Sequence, residues 1–245
     1  SIKMIATDGG GSGANVTDVL DLTGGTNNVG LGSGALVSIT SGDDNVVIGE
    51  NAGDALTSGN DNTLVGDNAG TEVTTGFNNT FIGSRSGDAI STADNNVAVG
   101  FNSLGSDTKG DRSVALGSAA LATQNFTTTT DVYNVGVGYL AGYAITTGTL
   151  NTLVGGLAGD ALTSGNNNIA VGYNALGADT LGDRAVAIGR GALENQNFAT
   201  STDNYNVAVG WAAGNDITTG QSNTLIGGNA GDALTDADFN TAVGM

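Results

Sequence analysis

A glycine that closes a short β-branched run returns thirteen times along this chain, at Gly32, Gly49, Gly66, Gly83, Gly100, Gly117, Gly138, Gly155, Gly172, Gly189, Gly210, Gly227 and Gly244. The steps are 17 residues, except two of 21 that end at Gly138 and Gly210. A fixed period of this size belongs to stacked units that touch only their neighbours, and it constrains the fold more than any other feature. The four residues before each glycine follow one rule. The first is Asn everywhere except Ser113 and Ala185, the second is Val, Ile or Thr, the third ranges from Gly30 to Phe81, and the fourth is Val, Ile or Leu. This describes a short strand with alternating faces that ends at a glycine.

The rest of each unit is equally regular. Three residues past the anchor stands Ala or Ser in every complete copy, as at Ala52, Ser86 and Ala158, which marks a position with a close neighbour. The next residue is Gly in one class of coil (Gly53, Gly159) and Leu in the other (Leu104, Leu176). In the Gly class a second apolar residue follows three positions on, such as Leu56 or Leu162, and opens a Thr-containing segment that ends at Gly59 or Gly165. Each coil therefore reads strand, tight turn, short strand, tight turn. The expected fold is all-β: a parallel β-roll or β-solenoid of about thirteen 17-residue coils, two of them lengthened to 21. At ~4.8 Å per rung it would be roughly 60 Å long. Residues 28–245 form the repeat domain, and residues 1–27 read as an irregular cap or linker in which Val16–Leu22 is an imperfect first rung.

A longer period of 72 residues overlies the short one and relates the two long coils. They carry near-copies, Gln124-Asn-Phe126-Thr and Gln196-Asn-Phe198-Ala, and end in Val132-Tyr-Asn-Val135 and Asn204-Tyr-Asn-Val207. The four extra residues of each are expected to project as a loop from a rigid support, where binding groups tend to reside. Gln124, Asn125, Phe126 and Tyr133, with Gln196, Asn197, Phe198 and Tyr205, are accordingly the candidate surface-binding residues. The competing reading is that the insertions cap a groove or strengthen contacts between chains. Arg112 and Arg184 each follow a Gly-Asp pair, and an ion pair with that Asp would tie down the turn.

Composition removes much chemistry. There is no His and no Cys, so Ser/His/Asp and Cys/His arrangements and the usual zinc ligands are excluded. Acidic pairs such as Asp43-Asp44 fall in turns and read as solvated acids. No enzyme activity, cofactor or metal is expected, weak cation binding aside. The net charge of −18 argues against nucleic acid or an anionic membrane as partner, and no apolar run is long enough to span a bilayer. Stacking would align the Asn residues into a hydrogen-bonded ladder. A Thr column, including Thr57, Thr74, Thr146 and Thr163, suggests an ice-binding ridge as one alternative. Phe101, Tyr139, Tyr173 and Trp211, each just after an anchor, either stack on sugars or cover the seam between strands.

In Thr152-Leu153-Val154 the outer residues face one side and the middle one the other, yet both sides are apolar. One face must then be hidden against another chain, which three-fold closure achieves. Asn96-Val-Ala-Val-Gly100, Arg184-Ala-Val-Ala-Ile-Gly189 with Ala192, and Asn206-Val-Ala-Val-Gly210 with Ala213 resemble the head repeats of trimeric autotransporter adhesins of the YadA type. Asn168-Ile-Ala-Val-Gly-Tyr-Asn-Ala-Leu-Gly177 is more similar still to phage tail-fibre proteins. The resemblance implies a homotrimer of parallel β-rolls used for host attachment, located in a virion tail fibre and partnered by itself and by a cell-surface glycan or protein. A bacterial adhesin head is the alternative, although such repeats are typically shorter.

Overall fold

The computed structural model describes residues 24–244. Thirteen three-residue strands form one parallel sheet: β1 (Val29–Leu31), β2 (Val46–Ile48), β3 (Thr63–Val65), β4 (Thr80–Ile82), β5 (Val97–Val99), β7 (Val114–Leu116), β9 (Val135–Val137), β10 (Thr152–Val154), β11 (Ile169–Val171), β13 (Val186–Ile188), β15 (Val207–Val209), β16 (Thr224–Ile226) and β17 (Thr241–Val243). Their order in the sheet is their order in the chain. Two small parallel pairs lie apart, β6 (Gly110–Asp111) with β8 (Thr130–Asp131) and β12 (Gly182–Asp183) with β14 (Thr202–Asp203). No helix occurs among the described residues.

Register is fixed by the repeat. Leu153 sits against Ala170 one 17-residue coil on, and Ala115 against Gly136 across a 21-residue coil, so the longer coils still advance the sheet by one strand. Each anchor glycine has φ between 121° and 145°, and a Cβ on Gly155 would run into the carbonyl of Gly172. Only glycine tolerates both conditions. Residues 24–27 already obey the repeat, with Thr26 N–H donating to Asp43 Oδ1 at 2.6 Å and Asn27 in the same left-handed conformation as Asp44 and Asp61. The expected first rung at Val16–Leu22, and most of the expected cap, lie outside the described residues.

The core follows a size rule. The middle residue of each strand points into the coil and packs against the residue four past the anchor. Val47, Leu64, Phe81, Leu153 and Leu225 are buried opposite Gly53, Gly70, Gly87, Gly159 and Gly231, whereas Gly30, Ala98, Ala115, Ala170 and Ala187 are matched by the buried Leu36, Leu104, Leu121, Leu176 and Leu193. A Cβ on Gly159 would come 2.8 Å from Leu153 Cδ2, and one on Gly87 would press into the Phe81 ring. The rungs after the two long coils hold a small residue at both positions, Gly136 with Gly142 and Ala208 with Gly214. There Leu121 and Leu153, or Leu193 and Leu225, reach in from the neighbouring rungs. The small column from Ala35 to Ala230 is buried throughout, as its invariance requires.

Buried asparagines run up the interior. The Asn62 side chain accepts from the backbone N–H of Asn79 at 3.0 Å and donates to the carbonyl of Gly76 at 2.9 Å, and the same pair of bonds recurs at Asn45, Asn151 and Asn223. This satisfies turn groups that would otherwise be buried unpaired. The expected second strand of each coil does not form. The N–H groups of Thr146, Thr147 and Gly148 all converge on the carbonyl of Thr163, and those of Thr40, Ser41 and Gly42 on Thr57. Three donors on one acceptor curl the chain around that oxygen instead of extending it.

Candidate functional site

The two long coils are built from a buried polar cluster. Asp107 and Gln124 stand seven residues past their anchors, in a column filled elsewhere by Ile39, Leu56, Ile90, Ile145 and Leu162, and both are fully buried. Asp107 Oδ1 accepts from the N–H of Gly110 and of Phe126, each at 3.0 Å, while Oδ2 accepts from Gln124 Nε2 at 2.5 Å. Gln124 also donates to Ser113 Oγ at 3.0 Å and accepts from Asn134 Nδ2 at 2.9 Å. It thereby bridges the step where Ser113 breaks the asparagine ladder. The second copy repeats this: Gln196 Nε2 to Asp179 Oδ2 at 2.6 Å, Gly182 N–H to Asp179 Oδ1 at 3.0 Å, and Asn206 Nδ2 to Gln196 Oε1 at 2.8 Å, beside Ala185. Burial pushes the Asp179 carboxyl above its ordinary value, opposed by the Gln196 amide and by the N–H groups that point at it.

The eight candidate residues therefore divide. Gln124 and Gln196 are fully buried and Phe126 and Phe198 nearly so, which corrects their assignment to the surface. The amides of Gln124 and Gln196 and the backbone N–H groups of Phe126 and Phe198 are consumed inside the coil. Asn125, Tyr133, Asn197 and Tyr205 are exposed. Asn125 and Asn197 each accept a bond from a threonine one rung back, Thr108 at 3.3 Å and Thr180 at 2.9 Å.

The arginines pair differently from expectation. Arg112 forms its ion pair with Asp131 and Arg184 with Asp203, across the small β6–β8 and β12–β14 pairs. The adjacent Asp111 is nearly buried and already accepts the N–H of Asp94 at 2.8 Å, so it faces away from Arg112. Each guanidinium also lies over a tyrosine, 5.8 Å from the Tyr133 centroid and 5.7 Å from that of Tyr205. Each long coil thus ends in an exposed Arg–Asp–Tyr group, and the two groups stand four strands apart in the sheet.

Two other faces matter. The outward side of the large sheet carries two columns. One is Val, Ile or Thr, and the other, from Leu31 through Ile48, Val154 and Ile188 to Val243, is aliphatic at every rung. Among the described residues no other segment packs over either column. Elsewhere on the coil the threonine ridge is tied down: Thr57, Thr74, Thr146 and Thr163 each donate their hydroxyl to the next rung's carbonyl at 3.0–3.2 Å. Those bonds bind coil to coil. The aromatics after the anchors, Phe101, Tyr139, Tyr173 and Trp211, are each more than half exposed, and the Arg190 guanidinium lies over the Tyr173 ring at 5.8 Å from its centroid.

No protein family, characterised protein or solved structure matches this chain. Its reading rests on the geometry above. Among the described residues no group of three or more acidic, His or Cys side chains is placed to hold a metal ion. What the surface offers is an apolar sheet face, paired Arg–Asp–Tyr groups and an aromatic column, all on a scaffold whose buried polar atoms are spent on holding the rungs together.

Proposed function

We propose that this chain is a rigid, non-enzymatic segment of an attachment fibre. It associates with two further copies of itself through the large sheet face and turns the Arg–Asp–Tyr groups of its long coils towards a host-surface glycan or protein. The reading places it in a virion tail fibre, as the resemblance of its repeats implies; a bacterial surface adhesin would use the same assembly. The observation that carries the proposal is the outward sheet face. Its two unbroken columns hold Val46, Ile48, Ile82, Ile169, Ile188 and Ile226 at 36–43% exposure. A contiguous apolar strip of this kind marks an interaction surface, and closed symmetry is the usual way for identical chains to hide one. Three solenoids side by side, with parallel axes, bury the strip and leave the long coils outside.

Sedimentation equilibrium tests the assembly, with an expected mass of three times the 23.9 kDa chain. Val154→Asp combined with Ile188→Asp should release folded monomers, because each charge would be buried in the contact while leaving the coil interior untouched. A stable monomer at micromolar concentration, or assembly unaffected by the double variant, would overturn the proposal. Attachment is tested separately with Tyr133→Ala and Tyr205→Ala, which should lower adsorption to host cells while the trimer persists.

A further inference from the structure

Four aromatic side chains occupy one column of the solenoid, the position after each anchor glycine: Phe101, Tyr139, Tyr173 and Trp211. Their separations along the chain are unequal, 38, 34 and 38 residues. In space they are regular, because the strands they follow, β5, β9, β11 and β15, alternate in the sheet with β7, β10 and β13. The rings thus recur on every second rung, about 9.6 Å apart, and the four span about 29 Å. The intervening rungs carry Ser118, Gly156 and Arg190. Backbone bonds hold this column to the rung spacing, with the N–H of Ala119 on Phe101 O at 2.8 Å, Leu157 on Tyr139 O at 2.9 Å, Gly191 on Tyr173 O at 3.0 Å and Asn229 on Trp211 O at 2.8 Å.

The rings are 53–61% exposed, more than any aliphatic residue of the sheet face except Val243 at the last rung. Tyr173 leans over the space that Gly156 leaves free, its Cδ2 3.6 Å from where a Cβ would stand. Beside Trp211 the surface dips into an open groove lined by Arg190, Glu194, Asn215 and Asn229. Within it the Glu194 carboxylate is fixed by the amides of Asn174 at 2.6 Å and Asn215 at 2.9 Å. Polar groups suited to hydroxyls therefore flank an aromatic track.

We propose that this column is a binding track for a neutral, extended β-1,4-linked polysaccharide. Successive pyranose rings in such a chain are turned over relative to one another, and each advances the chain by nearly one strand spacing. The same sugar face then returns every second residue, in step with a ring on every second rung. The C–H face of a β-configured pyranose is apolar and packs on an aromatic ring while its hydroxyls point outwards. The formal charge of −18 disfavours a polyanionic glycan, which leaves neutral chains of glucose or N-acetylglucosamine. This goes beyond the fibre reading and does not rest on it, since a single chain carries the whole track.

Trp211 is the only tryptophan, so intrinsic fluorescence reports on the track directly. Titration with cello-oligosaccharides and with chito-oligosaccharides separates the two sugar sources, and malto-oligosaccharides provide an α-linked control. The expected result is a saturable change with at least one β-1,4 series, tighter as the oligomer lengthens and engages more rings, and none with the α-linked series. Tyr139→Ala and Tyr173→Ala should each weaken binding about two- to tenfold, the worth of one aromatic contact. Tyr139→Ser with Ser118→Tyr keeps the composition but moves one ring off step, and should lose as much as Tyr139→Ala. Absence of binding by both β-1,4 series would overturn the proposal, as would a double variant that binds like the unaltered protein. It would also fall if these substitutions changed the sedimenting mass and left sugar binding intact, because the rings would then be contacts between chains. A monomeric mass for the unaltered protein would remove the trimer alone.

Discussion

The short and the long coils solve the same closure problem in opposite ways. From Gly155 to Gly172 the coil closes in 17 residues because Leu162 fills the interior and Asn168 continues the ladder. In the coil ending at Gly138 the interior position is Gln124, and one rung back stand Asp107 and, in place of a ladder Asn, Ser113. Buried polar side chains need partners, and the long coil helps to supply them: it brings the Phe126 N–H to Asp107 and buries Phe126 beside it. The missing Asn, the buried Asp and Gln, and the insertion are thus one device, repeated at Asp179, Ala185 and Gln196. A loop that looks appended is a structural consequence of what lies beneath it.

The largest effect should come from breaking that device. Asp107→Ala strips an acceptor from the Gly110 and Phe126 N–H groups and from the Gln124 amide, all inside the coil. Each buried donor left without its acceptor costs about 1–3 kcal/mol, and three are left at once, which denaturant unfolding would read. Asp107→Asn should recover little, because its new amide would face the Gln124 amide donor to donor. Replacing the whole device with short-coil residues (Asp107→Ile, Ser113→Asn and Gln124→Ile, with Thr127–Thr130 removed) should cost far less than the single substitution, since exchanging both partners of a buried hydrogen bond for apolar groups of similar shape is nearly neutral. Equal losses in both variants would refute the coupling.

Next comes the size rule of the ordinary coil. Leu153→Ala opens a cavity at a cost of about 2–5 kcal/mol, and Gly159→Leu alone overpacks by about 1–3 kcal/mol. Together they recreate the Ala170–Leu176 arrangement, and Leu176 already holds φ at 55° against 56° for Gly159. The double variant should recover about 1–3 kcal/mol relative to the sum of the singles. Strict additivity would mean that the two positions do not share one space.

How far the sequence foretold this follows from the same contrast. Where a column repeats one chemical demand, as with the anchor glycines, the small residues and the ladder asparagines, its role is legible from the residues alone. The buried Gln124 and Gln196 were not, because an amide in a lengthened loop suggests solvent. A signal did exist: both sit in the column that holds Leu56 and Ile145, so their burial follows from position despite their polarity. The partner of Arg112 was illegible for a different reason. Asp131 lies 19 residues on and meets Arg112 only because the long coil returns over β6, whereas the adjacent Asp111 is taken by Asp94. The second strand failed to appear in coils such as those of Thr40–Gly42 and Thr146–Gly148 because convergence of three N–H groups on one carbonyl leaves no trace in residue types.

A smaller effect should attend the ladder itself. Asn151→Ala removes the acceptor for the Asn168 N–H and the donor to the Gly165 carbonyl, leaving two buried groups unpaired. About 1–3 kcal/mol should be lost. Asn206→Ala, which sits beside Gln196, should lose more than Asn151→Ala if the long-coil cluster and the ladder are joined, because it also strands the Gln196 carbonyl. Hydrogen exchange at the Asn168 and Asn223 amides, each bonded to the deleted side chain, would locate the damage.

The smallest effect is on pH dependence, and it sets an acid of an ordinary coil beside one held in the polar cluster that a long coil completes. Burial raises the carboxyls of Asp160 and Asp179 above their ordinary value of 3.8. An acid whose native value is raised takes up its proton in the folded chain before it does so in the unfolded one. Stability must then increase as pH falls through the native value towards 3.8, and the penalty is present in full above that window. Melting temperature should therefore rise, modestly, as pH is lowered towards 3.8, helped by relief of repulsion among the acids. Asp160→Asn should raise the neutral-pH melting temperature slightly and flatten part of this slope, since its burial penalty has only a backbone hydrogen bond set against it. Asp179→Asn should not do the same: its carboxylate receives the Gln196 amide, and an amide placed opposite it would cost more than the lost charge gains. A melting temperature that falls steadily on acidification from neutral, or an equal gain from both substitutions, would show that the two coils do not differ in this way.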